Sequence, residues 1–494
     1  MMFSEFLIPA SPVLSLVICA TLLILLEAIL PDGKAKSTKL VVAILGPFLS
    51  LLATLFLLSS QTESLVVLSN SPIPTWIAEF KKSYLCDDLT VNLFTAMSVF
   101  VLISIVFLEA FLPKNSEKPE IFSLVLFAGA GMMLLVSAGS LLMVFMALEL
   151  MSLPTYILVG MQKKDQRSCE AGLRYFLYGS FATVLLVLGI ALLYGELGTL
   201  YVEPLKALLN SPNRIGLSNG RGGSVGVLAA FALMLAGVGF KIGLVPYHLW
   251  LPDAYQGAPT SVTGFMGSAI KLAGFGLAIR IFAELLQPIT SIWSSMMGFL
   301  AALTILVGNF AALRQKNLKR LFAYSSIAHA GYLFLGVVSL GGGETNSSAL
   351  QYYLWIYGLL FLGIFGILAL LETHRKSLEL DSLNGLGFEK PLLGFCFLLF
   401  TLSAAGIPPT AGFFAKYLIL LQAFSQDQIE WVIVAVLGSV IGIAYYLKVI
   451  SHLYMKAPAS PEATFPVASK IVQVTIVLCA LAMVYFAVSP TMAQ

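Results

Sequence analysis

Residues 233–246 read LMLAGVGFKIGLVP, an apolar stretch that places Lys241 where a membrane-crossing helix would pass the bilayer centre. Two further stretches, GSAIKLAGFG around Lys271 and AGFFAKYLIL around Lys416, share this pattern, and VFMALELMSL holds Glu149 in a similar setting. A charged side chain near the bilayer centre costs about 3 kcal/mol, so such residues are rare and commonly mark a path for ions or protons. The four residues therefore predict a membrane protein that conducts charge.

The composition supports a helical membrane protein. Of the 494 residues, 59% are hydrophobic and only 11% are charged, whereas soluble domains carry roughly 25% charged residues. Because the apolar runs are continuous rather than alternating, they predict an all-α integral membrane fold. The net charge of +3 includes no clustered basic patch, so no nucleic-acid partner is expected. The five cysteines occur singly, without CxxC or a Cys/His cluster, so no metal or iron–sulfur site is expected in this chain.

Apolar windows of about 20 residues predict about 14 membrane spans. In chain order these are Val13–Leu30, Leu40–Leu58, Leu89–Leu112, Ile121–Ala138, Leu141–Gly160, Ala171–Tyr194, Val225–Pro246, Thr260–Ala283, Ile292–Leu313, Leu321–Leu340, Leu350–Leu371, Pro391–Phe424, Trp431–Tyr454 and Ile471–Val488. The twelfth is too long for one straight crossing and contains Pro408 and Pro409, so a broken helix is predicted there. No basic region precedes the first apolar run, which favours a retained helix over a cleaved signal peptide.

The loop charges predict an orientation. Most lysines and arginines fall in the loops on one side of the membrane, whereas the opposite side holds only Lys81, Lys82, Lys206, Arg214 and Arg221. By the positive-inside rule the basic side is cytoplasmic, or faces an equivalent compartment. Both termini are then expected on the outer, periplasmic or lumenal, side.

Several segments recur at a nearly constant offset, which indicates a duplicated unit. They are LRYFL from Leu173 and LQYYL from Leu350 (offset 177), YILVG from Tyr156 and YLFLG from Tyr332 (176), and Lys241 and Lys416 (175). The offset corresponds to five helices, an odd number, so the second copy would cross the membrane upside down. The predicted organisation is a three-helix segment (1–120), a first repeat of spans 4–8 (121–285), an inverted second repeat of spans 9–13 (286–456) and a final helix (457–494).

Prolines predict that two spans, the seventh and the twelfth, are interrupted beside these lysines. Pro246 follows Lys241 by five residues, and Pro408 and Pro409 precede Lys416. Proline cannot donate a backbone hydrogen bond, and inverted-repeat transporters place their functional groups at such breaks near the midplane. The freed carbonyl groups need water or polar side chains, so a hydrated pocket is expected beside each lysine.

The buried groups predict a proton path. A buried ammonium releases its proton more readily than one in water, while a neighbouring carboxylate holds it, so a Glu149–Lys241 pair would act as a switch. Lys271 would relay the proton to Lys416, with His329 as an intermediate group or, equally well, as a hydrogen-bonded packing residue. His248 and Asp253 are expected near the cytoplasmic end, where they either begin the path or simply face water.

Another charged residue, Arg280, is expected to extend to the membrane surface near the end of its helix. The alternative for the whole set of buried charges is a purely structural role.

The motifs around these residues resemble one family. They are Ala147-Leu-Glu149, Gly239-Phe-Lys241 with Pro246, His248, Trp250 and Asp253, Lys319-Arg-Leu with Ser325-Ser-Ile-Ala-His329, Gly406-Ile-Pro-Pro, and Gly412-Phe-Phe-Ala-Lys416. Together they resemble the antiporter-like proton-pumping subunits of respiratory complex I, an NADH:quinone oxidoreductase, which are related to multi-subunit Na⁺/H⁺ antiporters. Lysine at position 416, and a chain that ends at Gln494 soon after the last span, favour one branch of this family.

The resemblance implies proton translocation through Glu149, Lys241, Lys271 and Lys416, with His329 on the same axis. It implies partner membrane subunits, with flavin, iron–sulfur clusters and quinone chemistry outside this chain, in a bacterial inner membrane or an equivalent energy-transducing membrane. Two alternatives remain open, namely a subunit of a cation/proton antiporter complex and an inert assembly scaffold. The electron donor, NADH or ferredoxin, also remains open.

Overall fold

The computed structural model describes residues 2–30, 36–60, 75–112, 118–211, 225–342, 346–375, 378–457 and 469–490. Within these ranges the chain is built almost entirely of helices. Five of the loop residues that underlie the predicted orientation, Lys34, Lys114, Arg214, Arg221 and Lys376, lie outside the described residues.

The described residues contain 13 helices long and apolar enough to cross a membrane, and two shorter apolar helices that divide the predicted twelfth span. The predicted all-α membrane fold is thus confirmed. The helices are α1 (Met2–Ile29), α2 (Lys36–Ser60), α3 (Thr75–Ser83), α4 (Asp88–Phe111), α5 (Lys118–Val136), α6 (Leu141–Val159), α7 (Gln166–Leu197), α8 (Val202–Leu209), α9 (Val225–Ile242), α10 (Trp250–Gly257), α11 (Thr260–Phe265), α12 (Lys271–Ala278), α13 (Thr290–Leu313), α14 (Leu318–Leu340), α15 (Ser348–Arg375), α16 (Leu386–Glu389), α17 (Pro391–Ala405), α18 (Ala411–Ser425), α19 (Ile429–Tyr454) and α20 (Lys470–Val488).

The eighth span is not a regular α-helix. It runs from Thr260 to Leu285 as α11 and α12 with a π-helical turn between them, at Met266–Ile270, and a second after α12, at Ile279–Leu285. Lys271 therefore follows directly after a widened turn. Such π turns are rare and occur frequently at functional sites. The apolar pattern did not predict this irregularity.

Three spans form the centre of the molecule. In the eighth span every residue of the most apolar window is buried, and in α14 and α15 the buried share is 94%, whereas in α1, α2, α7, α19 and α20 it is 33%. The latter helices expose large apolar side chains, as expected where lipid or another subunit covers them. Lys271 and His329 thus lie on the most enclosed helices.

Small residues allow α13 to approach α14 closely. A Cβ atom added to Gly308 would lie 2.5 Å from the backbone nitrogen of Ala328, and one added to Gly331 would lie 2.8 Å from the carbonyl oxygen of Ala301. Close helix approach at small residues is typical of membrane proteins, where packing rather than water drives association. These contacts hold His329, which lies between Ala328 and Gly331, in the interior.

The predicted break in the seventh span is confirmed. Helix α9 ends at Ile242, one residue after Lys241, and Gly243 adopts a φ of +80°, a conformation that favours glycine. The backbone nitrogen of Leu244 donates to the carbonyl of Gly239 at 2.8 Å, which is the closing bond of a Schellman cap. Pro246 follows three residues after the cap glycine, and α10 begins only at Trp250.

The break in the twelfth span uses the same local structure. Helix α17 ends at Ala405, Gly406 has a φ of +78°, and the nitrogen of Ile407 donates to the carbonyl of Leu402 at 3.2 Å. Pro408 and Pro409 lie in the segment before α18 begins at Ala411, as predicted. The two interruptions thus share the sequence Gly-x-x-Pro and the same cap. They differ in position, because Lys241 precedes its break and Lys416 follows its own.

Candidate functional site

Lys241 lies inside the protein, with 4% of its surface exposed. Its Nζ atom donates to Ser152 Oγ at 2.8 Å and to the Tyr175 hydroxyl at 3.5 Å, and it lies 5.7 Å from the centres of the Tyr156 and Tyr175 rings. Hydroxyl acceptors and aromatic faces both stabilise an ammonium away from water. Helices α6, α7 and α9 therefore build a site that accommodates a charged lysine.

Glu149 lies on the same helix as Ser152, and its side chain is partly buried. Among the described residues no ion pair within 4.0 Å joins it to Lys241. The ammonium instead binds Ser152, one turn along α6 from Glu149. The Glu149–Lys241 pair that the sequence predicts is therefore not closed by a direct contact in this structure.

Lys271 lies on the central eighth span and is 3% exposed. Its Nζ atom donates to both the carbonyl oxygen and the Oγ atom of Ser326, the latter at 2.5 Å, and lies 5.0 Å from the centre of the Tyr357 ring. The Tyr357 hydroxyl also donates to Ser326 Oγ, at 2.8 Å. Ser326 is thus the shared acceptor for the ammonium and the phenol.

His329 follows Ser326 by three residues on α14 and is 5% exposed. Its Nδ1 atom lies 2.7 Å from the Tyr353 hydroxyl, and its Nε2 atom 3.2 Å from the Tyr446 hydroxyl. The Tyr446 hydroxyl also contacts Ser325 Oγ at 2.5 Å. Because both ring nitrogens have hydroxyl partners, the imidazole can accept a proton at one and release it at the other.

Lys416 is 7% exposed and fills the break between α17 and α18. Its Nζ atom donates to the carbonyl oxygens of Ala404 and Ala405, at 3.0 and 3.1 Å, and lies 5.1 Å from the centre of the Tyr332 ring. These carbonyls are among those that the helix end leaves without backbone partners. Lys416 therefore supplies hydrogen bonds to the unpaired carbonyl groups at the end of α17, in addition to placing an amine inside the protein.

Lys241, Lys271 and Lys416 each lie over a tyrosine ring, a feature that sequence reasoning missed. The pairs Lys241–Tyr156 and Lys416–Tyr332 make the same contact, and they are related by offsets of 175 and 176 residues. The signal was present in the sequence, because both tyrosines begin the repeated YILVG and YLFLG segments. The equivalent contacts support the predicted duplication.

The groups around Lys271 and Lys416 are joined by ring contacts. The His329 ring lies 5.2 Å from that of Tyr357 and 6.2 Å from that of Tyr332, measured between centroids. Tyr357 packs on Lys271 and Tyr332 on Lys416. These five side chains form one connected polar group.

Lys241 is close to this group but not bonded to it. A Cβ atom added to Gly274, one turn from Lys271, would lie 3.9 Å from Lys241 Cγ. Within the described residues no hydrogen bond joins the partners of Lys241 to those of Lys271. Beside Lys241 is a largely apolar cavity of about 10 Å³, enough for one water molecule at most. The Phe240 carbonyl accepts hydrogen bonds from the backbone nitrogen of Gly243 at 3.2 Å and from the Trp250 indole at 2.9 Å, so this carbonyl at the seventh-span break needs no water.

His248 and Asp253 lie in the segment after this break. His248 is 8% exposed, and its buried Nδ1 atom has no hydrogen-bond partner among the described residues. Asp253 accepts hydrogen bonds from Arg174 at 3.1 Å and from Arg320 at 2.8 Å. The two residues therefore differ, since one is enclosed with a free ring nitrogen and the other is held by two guanidinium groups.

Arg280 does not extend to the surface, and that expectation was wrong. It is 3% exposed because Asp87 and Glu284 bind its guanidinium group, with contacts of 2.6 to 2.9 Å, while Thr90 and the Val136 carbonyl accept its remaining bonds. Burial alone would raise the pKa of the Asp87 carboxyl group, but hydrogen bonds from Arg280 and its charge lower that pKa to about 2. The cluster ties α4 to the eighth span.

The end of the molecule opposite the Arg280 cluster carries a large cavity of about 590 Å³ that is lined by charged side chains. We define the basic face as this end, after the lysine- and arginine-rich loops predicted there. The cavity itself is lined by three basic side chains, Arg167, Arg174 and Lys319, and by five carboxylates, which include Asp253 and Glu372. Helices of both predicted repeats contribute to its walls.

Comparisons with known proteins identify the family. The family described as NADH:quinone oxidoreductase/Mrp antiporter, TM, matches residues 138–442. The NADH-quinone oxidoreductase subunit N 1 of Thermodesulfovibrio yellowstonii is 36% identical over 421 residues, which cover 85% of this chain and 88% of that protein. A chain of respiratory complex I from Thermus thermophilus with bound aureothin superposes with a TM-score of 0.78 at 31% identity, covering 97% of each chain.

A chain of the Mrp complex from Dietzia sp. superposes with a TM-score of 0.83 at 20% identity, covering 98% of this chain and 95% of that chain. At this identity the likeness shows the fold alone. The fold is therefore common to complex I and antiporter assemblies, whereas the sequence relationship is to subunit N. This chain belongs to the subunit N family of NADH-quinone oxidoreductases, the branch of the complex I membrane subunits that its motifs predicted.

Proposed function

We propose that this chain translocates protons as a membrane subunit of a complex I-type NADH-quinone oxidoreductase, through Glu149, Lys241, Lys271, His329 and Lys416. The observation that carries the proposal is the burial of three lysines, each on a tyrosine ring and a hydrogen-bond acceptor, across the centre of a membrane fold. If these lysines were structural, each would be expected to pair with a carboxylate. Their hydrogen-bond partners are instead hydroxyl and carbonyl groups.

The chemistry follows from the contacts. When Glu149 approaches Lys241, their attraction holds the proton; when they separate, as here, the buried ammonium releases it more readily. A proton arriving at Lys271 repels one at Lys416, and His329 between them can exchange a proton through its hydroxyl partners. Moving one charge against 100 mV requires about 2.3 kcal/mol, which electron transfer in partner subunits would supply.

The proposal places the basic face in the cytoplasm, or an equivalent compartment, and both termini on the outer side of a bacterial inner membrane. Flavin and iron–sulfur clusters belong to partner subunits, and the neighbours of this chain are other membrane subunits. We further propose the division into a three-helix segment, two five-helix repeats and a final helix with the limits predicted above. The two equivalent lysine–tyrosine contacts support the repeats.

Replacing Lys241 tests this function. The assembled complex carrying Lys241→Met is reconstituted in vesicles, and proton uptake is measured against NADH oxidised. We expect the complex to take up fewer protons per NADH, because this subunit no longer contributes. The control is Tyr194→Phe, a change at an exposed position that should leave proton uptake unchanged. A fully assembled Lys241→Met complex with normal proton-to-NADH stoichiometry would contradict the proposal.

The fold shared with the Mrp complex keeps a second candidate, a cation/proton antiporter subunit driven by ion gradients alone. Purifying the chain with its partners separates the two. Flavin and iron in stoichiometric amount support the oxidoreductase, whereas their absence together with Na⁺-dependent proton movement supports the antiporter.

A further inference from the structure

The cavity at the basic face is large, open and polar. Its volume of about 590 Å³ is far larger than the space that one water molecule needs. Arg174 of α7, Asp253 of α10, Lys319 of α14 and Glu372 of α15 line it. Solvent therefore reaches the junction of the two predicted repeats from this face.

The carboxylates that line the cavity are not equivalent. Asp253 is bound by the guanidinium groups of Arg174 and Arg320, at 3.1 and 2.8 Å. The two guanidinium groups come from different helices, Arg174 from α7 and Arg320 from α14. Asp253 therefore fits a tie between helices better than a step in proton uptake.

Glu372 has the contacts that a proton-collecting group requires. Its side chain is 43% exposed to the cavity, its Oε1 atom lies 3.4 Å from Lys319 Nζ, and its Oε2 atom accepts a hydrogen bond from Thr260 Oγ1 at 2.5 Å. Lys319 is itself only 5% exposed and also donates to the Ala258 carbonyl at 2.8 Å. Glu372 thus connects cavity solvent with a buried amine.

The buried amine in turn leads toward Lys271. Lys319 and Ser326, the acceptor for Lys271, lie seven residues apart on α14, a rise of about 10 Å. Lys319 therefore lies about two helical turns from the residue that accepts hydrogen bonds from the central lysine.

We propose that Glu372 is the proton-collecting carboxylate of this chain, taking protons from the cavity and passing them by way of Lys319 toward Lys271. The Glu372 carboxylate takes one proton from solvent and, once Lys319 has passed its own proton inward, gives it to the Lys319 amine, which returns Glu372 to its anionic form. The ammonium then releases the proton inward, toward Ser326 and Lys271. This inference rests on the proposed proton translocation.

The test uses the assembled complex with Glu372→Gln. Glutamine keeps an oxygen that accepts a hydrogen bond from Thr260 or Lys319 but cannot carry a proton. NADH:quinone turnover in uncoupler-treated membranes is expected to fall by roughly tenfold if proton transfer to this group becomes limiting. Millimolar formate, a weak acid small enough for the cavity, should restore much of it. The matched control is Glu170→Gln, a cavity carboxylate paired with Arg174, which should leave turnover unchanged.

Three results would overturn the inference: native turnover in Glu372→Gln, a loss that formate does not restore, or an equal loss in Glu170→Gln. If Glu372→Gln does not assemble, Glu372→Asp replaces it, and a partial loss that formate restores is expected, whereas unchanged turnover overturns the inference. The Lys241→Met complex distinguishes failure of this inference about Glu372 from failure of the proposed proton translocation. If it loses proton uptake while Glu372→Gln is native, only this inference fails; if it pumps normally, the proposed function fails.

Discussion

Lys416 is expected to have two separable roles, and its replacement can distinguish them. Its Nζ atom donates to the carbonyl oxygens of Ala404 and Ala405 at the end of α17. A hydrogen bond from a charged donor contributes about 1.5–3 kcal/mol, so losing both in Lys416→Met should cost roughly 3 kcal/mol of stability. Lys416→Gln retains an amide donor that is one bond shorter and can serve one carbonyl, which should reduce the cost to about half of that value. Neither variant carries a proton.

Two measurements on the purified complex check these expectations. In vesicles, NADH-driven proton uptake should fall in both variants, because neither can relay protons at this position. Thermal unfolding should occur at a clearly lower temperature in Lys416→Met than in Lys416→Gln. Native proton-to-NADH stoichiometry in Lys416→Gln would refute the relay role. Equal thermal stability of Lys416→Met and the native complex would refute the capping role.

Three further predictions follow from individual contacts. Tyr156→Leu should impair proton uptake more than Tyr156→Phe, because phenylalanine keeps the ring that stabilises Lys241 by about 1–2 kcal/mol; equal effects in vesicle assays would contradict this. Asp87→Asn should destabilise the complex by about 1 kcal/mol at pH 7, a value kept low because Asp87 is 49% exposed. Since the pKa of Asp87 is lowered to about 2, its contribution should be complete above about pH 4 and disappear as the pH falls toward 2, so unfolding temperatures of variant and native complex should converge in acid. Gly243→Ala should lower the unfolding temperature, because a positive φ costs about 1–2 kcal/mol for residues with a Cβ atom; an unchanged temperature would contradict this.

The membrane fold and the position of its breaks were predictable from local sequence. Long apolar runs fix the spans because every backbone polar group in lipid must be paired within the helix. Pro246, Pro408 and Pro409 mark the interruptions because a proline cannot continue the hydrogen-bond ladder. The inward position of Lys241, Lys271 and Lys416 followed from the same reasoning, since a charge facing lipid would be too costly.

The partners of those charges were not predictable in the same way. Tyr357 and Ser326 meet Lys271 from two other helices, and no spacing within one helix reveals such contacts. Arg280 was placed wrongly because its carboxylate partner Asp87 precedes a helix that lies far away in sequence. Pairing across helices depends on tertiary packing, which hydropathy does not encode.

The separation of Glu149 from Lys241 also lay beyond sequence reasoning. A carboxylate and an amine on neighbouring spans are expected to pair, but Ser152 and Tyr175 provide competing acceptors for the ammonium. Which partner it takes depends on small differences between hydrogen-bond energies.

The most direct test is a density map of the assembled complex at a resolution that shows ordered water. The region to inspect lies between Lys241, with its partners Ser152 and Tyr175, and Lys271, where no hydrogen bond joins the described residues. We expect water molecules there that link the Tyr175 hydroxyl to the Ser326–Lys271 group, completing one path to Lys416. Tightly packed apolar side chains in that interval, with no room for solvent, would contradict proton transfer along this axis.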